Sequence, residues 1–549
     1  MSDDANDSST DKTSNSGKEC SEAPAEVPDI GKGRRWYDYP YRLLCWLGTP
    51  PRRKLLPKAL NNFIWKKIND LTPYNEYDRY VALPHKSSIH SLQVPSDEHV
   101  RTLGIWVIEL FPPSYYGRLT TSMKANGWRQ LEAREIDGTD NATMVRTARA
   151  ARNYRWWRLG GSVSLESRWI PPDAIKESVP DPFISVELRA VQVGSGLTAV
   201  IAFFCPLECG AISLDSEWHA AHEPVLSKSK GRRPHAYDRC WAGMRATQQR
   251  RADLQDSARE WLSAKCPGAF ADMGKRHPVL EMMLLDKANP AEDDLTTGDP
   301  YTYRALGLTN FEHIISPEMP GFSFILNSNS LNSNCLHDCH ALIGNKELVL
   351  AGISDRVALY GGNLIQALPH IYDDAIGYYL LINGLNAYSD EMVERSASKR
   401  DAISQSFKKY GVRAIVRLRR SVLTESLDIA EVSTCYKIPW DKQWRVWSGG
   451  INLTGCYRTG SGLNSYDFAK SLLDRTSDNF NYLAEEDKTY RNLLGTASSL
   501  GSSVSATRLG RIALLVAFVS MAVAVLALLL SDVSGQSLFS MILSQLSNQ

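Results

Sequence analysis

The sequence lacks the short motifs that announce common chemistries. It contains no Gly-x-Ser-x-Gly elbow, no Gly-x4-Gly-Lys-Ser/Thr phosphate loop and no His-Glu-x-x-His helix. Gly194-x-Gly196 has no third glycine and sits between two β-rich runs, which excludes a dinucleotide loop. These absences leave open an enzyme whose groups assemble from distant positions, because such a site writes no local signature. Net charge is also missing: 62 Lys and Arg stand against 61 Asp and Glu, so global electrostatics select no partner. The basic run Lys228, Lys230, Arg232, Arg233 and Arg239 has no interleaved aromatics and gives no good case for nucleic acid. Ten cysteines follow no repeated framework, and residues 1–35 carry no apolar run of the secretory kind. Reduced thiols are therefore expected. No internal repeat is visible.

What the sequence does have is Ile512 to Leu530, where Ser520 is the one polar side chain and no charge occurs. At the helical rise this run is about 28 Å long, close to the hydrocarbon thickness of a bilayer. A helix with one wet face alternates apolar and polar positions; this one is apolar all round, which predicts a single transmembrane span. Arg508 and Arg511 precede it, and residues 531–549 contain no Lys or Arg. By the positive-inside rule the N-terminal region is expected in the cytoplasm and the short tail outside.

Ahead of the span the composition predicts an α+β cytoplasmic region followed by long α-helices. Residues 1–35 are too polar to offset the entropy of ordering and form a tail. An α+β domain is expected over 36–286, and a second strand-bearing region over 287–365. A helical region at 366–496 and a Gly/Ser-rich segment at 497–511 lead to the membrane. Within the first domain, Thr102 to Phe111 predicts a buried strand, the two runs around Gly194-Ser195-Gly196 a hairpin, and His235 to Lys265 a long helix. Strands are expected at Gly321 to Leu326, Glu347 to Ile353 and Arg356 to Tyr360. Helices are expected at Ile371 to Arg395 and Asp401 to Val432, with a polar joint at Ser396 to Arg400. Residues 52–70 form a basic amphipathic stretch, suited to packing on its own domain or to lying on anionic lipid.

Two clusters have metal-ligand chemistry. Cys205 and Cys209 leave the hairpin and are followed by His219 and His222, a donor set that suits tetrahedral zinc. Cys335, His337, Cys339 and His340 concentrate four donors in six residues, too close together for all four to wrap one ion without help from elsewhere. Zinc is the cofactor that either would take. Arg413, Arg417 and Arg420 share one helical face and form a cationic stripe for an anion, a lipid or a partner's carboxylates. Trp440, Trp444 and Trp447 share a face if their segment is helical. In the 465–494 helix, Leu473, Thr476, Phe480, Leu483, Asp487, Tyr490 and Leu494 alternate at spacings of three and four. That is a coiled-coil-like seam suited to homo-oligomer formation, although interrupted by Thr476 and Asp487.

The order of α+β domain, long helices and C-terminal membrane segment is similar in outline to CorA-type divalent-cation channels. Those channels use two spans and a Gly-Met-Asn signature after the first; this sequence has one span and no such tripeptide. The leading expectation is a single-pass, membrane-anchored sensor or scaffold held in the lipid bilayer by 512–530. The alternatives are an oligomeric ion-conducting protein, which the resemblance implies, and a membrane-tethered metal-dependent enzyme.

Overall fold

The computed structural model describes residues 38–81, 92, 94–128, 140–152, 154–167, 170–171, 173–220, 222, 225–227, 235–237, 239–289, 300–308, 312–326, 339–353, 364–436, 451–459, 462–530, 532–533 and 536–547. It begins with helices α1 (Asp38–Leu47), α2 (Pro50–Arg53) and α3 (Lys58–Val81). Strand β1 (Val100–Phe111) is followed by α4 (Tyr116–Ala125) and α5 (Asn141–Ala151). Then come β2 (Arg155–Ser164), β3 (Ala174–Glu177), β4 (Phe183–Val193) and β5 (Leu197–Pro206). Short helices α6 (Glu208–Ala211) and α7 (Ser213–Trp218) lead through the hairpin β6 (Val225–Ser227) and β7 (His235–Tyr237) to α8 (Arg239–Lys265). After α9 (Ala269–Met273) come β8 (Val279–Leu285), α10 (Pro300–Ala305), β9 (Glu312–Ile315), β10 (Phe322–Ile325) and β11 (Cys339–Asn345). Helices α11 (Lys346–Gly352), α12 (Leu364–Ile371) and α13 (Asp373–Tyr436) precede β12 (Thr454–Thr459) and β13 (Gly462–Asp467). Helix α14 (Phe468–Leu530), strands β14 (Asp532–Val533) and β15 (Gln536–Ser537) and helix α15 (Leu538–Leu546) follow.

The protein is a mixed α and β structure in two units, residues 1–389 with 434–477, and residues 390–433 with 478–549. The first unit is built on an 11-stranded sheet of order β13-β12-β9-β10-β11-β8-β1-β5-β4-β2-β3. Its pairs are antiparallel except β8 with β11 and β2 with β3. Strand β1 is buried at nearly every position because both of its faces are covered. On one face Ile105 and Val107 join a core with Leu254, Ala258, Trp261 and Leu262 of α8. On the other, the Trp106 ring stacks on Phe203, with centroids 4.5 Å apart, and Trp106 Nε1 donates to Asp373 at the start of α13 over 3.2 Å. Gly384 lets α13 come close to the sheet: a Cβ there would lie 3.0 Å from Ile108 Cδ1.

Buried charge fastens this core. The Glu281 carboxylate on β8, fully buried, accepts from Arg251 Nε (2.6 Å) and Gln255 Nε2 (2.9 Å) of α8 and from Thr102 Oγ1 of β1 (3.2 Å). Arg251 also donates to the Leu306 carbonyl (2.8 Å), and the Cys339 thiol of β11 donates to Gln255 (3.2 Å). Burial alone would lower the Arg251 pKa, but the neighbouring Glu281 carboxylate outweighs it and the net direction is upward, so the guanidinium stays charged. A second buried acid, Glu109, accepts from Leu110, Phe270 and Ala271 backbone N–H groups at 2.8–3.1 Å and pairs with His277 Nε2 at 2.7 Å. Gly268 makes room for it, since a Cβ there would lie 2.6 Å from Glu109 Cγ.

Several sequence expectations need correction. Lys346–Gly352 is helix α11, not a strand, because the Asn345 side chain caps it by accepting from Leu348 N at 3.0 Å. The connection at 437–465 contributes β12 and part of β13 to the large sheet, whose strands are too polar to show an alternating pattern. No joint falls at Ser396 to Arg400. Helical residues run from Asp373 to Tyr436, yet Arg395 Nε lies 3.8 Å from Glu425 Oε1. A straight helix would separate residues 30 positions apart by about 45 Å, so the path bends back between them. Residues 1–37, Arg356 to Tyr360 and Trp440, Trp444 and Trp447 lie outside the described residues.

In the second unit, Ser396 Oγ donates to Glu486 of α14 (2.7 Å), Ser426 Oγ to Asp487, and Asn479 Nδ2 to Asp390 (2.7 Å). Phe480, Leu483 and Asp487 are buried within the chain, so the seam that the sequence marks is already occupied internally at these positions. The Gly/Ser-rich segment is helical, and α14 continues through it. Within α14, Leu509–Ala527 is long and apolar enough to cross a membrane, and none of it is buried.

Replacing Glu281 by Ala leaves a charged guanidinium unpaired in the core and is expected to destabilise the protein by about 3–5 kcal/mol. The double change Arg251→Met with Glu281→Leu should recover most of that loss. Thermal unfolding of the two variants checks the order.

Candidate functional site

The start of β1 and the helix α7 bring together one cluster with the chemistry of a metal centre. His99 precedes β1, Asp215 lies on α7, and His219 caps the C-terminus of α7, four residues after Asp215. One ligand atom from each lies within 4.8 Å of the others. His99 Nδ1 is 3.1 Å from Asp215 Oδ2, and His219 Nε2 is 3.6 Å from Asp215 Oδ1. Bonds of about 2.0–2.1 Å at tetrahedral angles separate ligand atoms by about 3.3 Å; the two imidazoles approach different oxygens of Asp215, so an ion held by all three residues would draw them together around one of these oxygens. The Val100 N–H holds Asp215 Oδ1 at 2.9 Å, which fixes the carboxylate and leaves Oδ2 toward His99. His219 Nε2 also lies 2.9 Å from the Glu98 carbonyl, a contact that a cation would displace. Two imidazoles and one carboxylate suit zinc or a similar divalent ion with an open coordination position, and the half-exposed His99 gives solvent access.

This set includes only one of the residues that the sequence nominates. Cys205 is the last residue but one of β5, Cys209 lies in α6, and neither joins His219 in a three-ligand group among the described residues. His222 lies 3.4 Å from Glu217 Oε1 instead. Burial, with the Glu187 carboxylate adding to it, pushes the Cys205 thiol up to about 11. In the second cluster, Cys335 and His337 lie outside the described residues. Cys339 and His340 are consecutive on β11 and point to opposite faces: the thiol meets Gln255, and His340 Nδ1 meets Tyr379 Oη at 2.6 Å. These two residues cannot close on one ion. Arg413, Arg417 and Arg420 lie in α13, and their side chains are outside the described residues. The pair Asp215 and His219 was legible as an i, i+4 spacing; His99, 116 residues from Asp215, becomes a neighbour only through the fold.

A cleft of about 1020 Å³ opens on the sheet face that carries Phe203, between the ends of β1, β2, β4 and β5 and helix α12. Arg101, Arg158 and Arg189 line it, each already facing a carboxylate. Arg101 donates to Glu208 at 2.8 Å, Arg158 pairs with Asp173 at 2.6 Å, and Arg189 meets Asp373 and Asp374. Desolvation lowers the Arg189 pKa, with Asp374 and Glu187 working against that shift. The cleft is balanced in charge, so an anionic ligand enters only by exchanging with one of these carboxylates.

The chain matches no known protein-family model and no curated protein.

Titration with cobalt(II) should produce the visible absorption of a tetrahedral nitrogen/oxygen site at one equivalent, lost in Asp215→Asn and in His99→Ala and unchanged in Cys209→Ser. Absorption that survives Asp215→Asn places the metal elsewhere.

Proposed function

We propose that the protein is a single-pass membrane protein whose mixed α/β unit lies in the cytoplasm and acts as a sensor or scaffold. The observation that carries this reading is Leu509–Ala527, an apolar helical stretch of which none is buried. In water such a surface is a liability, whereas in a bilayer the helix satisfies its own backbone and its side chains meet hydrocarbon. Arg508 and Arg511 before the span, and a tail without Lys or Arg, support the cytoplasmic placement of the large region. The short helix α15 exposes Ile542, Leu543 and Leu546, which suits the far interface. The cleft beside Arg189 favours a sensor over a bare scaffold, because it offers a ligand-sized concavity with polar groups converging on it. A pore made from copies of the span would need a polar lining, and Ser520 alone supplies little of one.

Membranes from expressing cells, washed in alkaline carbonate, should retain the full chain. Phe518→Arg with Val523→Arg should release it, since each arginine at mid-span costs about 2.5–3.5 kcal/mol of insertion free energy. Wild-type protein in the supernatant would contradict the anchor.

A further inference from the structure

Helices α1 to α3 carry an exposed apolar surface. Tyr39, Leu43 and Trp46 fall at i, i+4 and i+7 on α1 and are all more than half exposed. Leu55 is 84% exposed between α2 and α3, and on α3 Leu60, Phe63 and Trp65 are exposed as well. Elsewhere in the first unit the exposed large apolar residues are scattered singly, for example Leu165, Ile212 and Leu348, which is ordinary for a protein surface. The inward side of the element is satisfied: Ile64 is buried, and Ile68 Cδ1 lies against Gly48, 3.1 Å from where a Cβ would stand. The outward residues are therefore not the misplaced half of a core.

Charge identifies the occupant. Between Asp38 and Asp70 there is no acidic residue, while Arg42, Arg52, Arg53, Lys54, Lys58, Lys66 and Lys67 supply seven cations. The cations lie over the aromatic rings: Arg52 Cζ is 3.8 Å from the Trp46 ring centroid, Arg53 Cζ 5.2 Å from that of Trp65, and Lys67 Nζ 6.0 Å from that of Phe63. Aromatic and aliphatic side chains beside Lys and Arg match a bilayer interface with anionic headgroups, where the rings sit at headgroup depth and the cations meet phosphate. A second copy of the same patch would bring like charge to like charge. Residues 1–37 offer eight acidic residues but few large apolar side chains to cover the rings.

We infer that residues 38–68 are a second membrane contact, an interfacial element that binds the surface of an anionic bilayer. It differs from the span in depth and in dependence on charge. The inference does not rest on the proposed anchor, although its test uses that anchor to hold the protein.

The test is hydrogen exchange of the full chain held in neutral phosphatidylcholine nanodiscs and then offered vesicles. With vesicles containing about 30% phosphatidylserine, peptides covering 38–68 should exchange at least about fivefold more slowly, and peptides from the sheet should not change. Raising NaCl to about 0.5 M should reverse the effect. The exposed-residue variant Arg53→Glu/Lys54→Glu/Lys58→Glu/Lys66→Glu should lose the protection while sheet exchange stays native. Equal protection with pure phosphatidylcholine vesicles, protection that persists in the variant, or no protection at all would overturn the inference. Protection of 38–68 before any vesicle is added, or on self-association, would assign the surface to residues 1–37 or to a second copy and would also overturn it. Failure of the chain to enter the nanodisc at all would instead count against the span.

Discussion

The first unit depends on the ion pair between Arg251 and Glu281. Five segments meet there: β8 supplies the acid, α8 the guanidinium and Gln255, β1 the Thr102 hydroxyl, the turn after α10 the Leu306 carbonyl, and β11 the Cys339 thiol. Two fully buried charges are tolerable only when paired and hydrogen-bonded, so the network admits a single register of α8 against the sheet. Hydrophobic packing alone would let α8 slide, because its sequence carries a weak apolar stripe. Placement of β1 follows from that register, and the start of β1 presents His99 to Asp215 on α7.

The candidate sites lie outside the sheet interior. The histidine and aspartate cluster lies where β1 begins, the charge-balanced cleft where β2, β4 and β5 meet α12, and the basic aromatic surface on the helices that precede β1. The sheet interior, with Trp106, Phe203 and Phe204 buried, holds these positions fixed. Loops and element ends carrying the chemistry on a rigid scaffold is the common division of labour in proteins.

Legibility in the sequence followed the strength of local pattern. The apolar helix was plain because apolar side chains on every face of a helix have few explanations. The β4 and β5 hairpin was plain because Gly194, at φ of 56°, marks a turn between two β-branched runs. By contrast, β12 and β13 are polar strands near the sheet edge, and no periodicity separates them from loop. Helix α11 resembles a strand because its apolar run is short; the Asn345 cap decides the matter, and a cap is a weaker signal than hydrophobic pattern. Of the candidate cluster, His219 is the residue that the sequence nominated; Cys205 and Cys209 join no three-ligand group among the described residues. On the seam of α14, Phe480, Leu483 and Asp487 are buried, and Asp487 accepts from Ser426 of the same chain.

The central claim is that Leu509–Ala527 crosses a bilayer with Arg508 and Arg511 at its cytoplasmic end. Spin labels at successive positions from 509 to 527, on a background with the native cysteines replaced and in nanodiscs, test it most directly. Collision with oxygen should peak near Val519 and Ser520 and collision with a water-soluble nickel chelate should be lowest there, the profile of a helix whose middle lies at mid-bilayer. A nickel profile that stays high throughout, or one that rises and falls with the helical period, would show a helix in water or on a surface and would contradict the span.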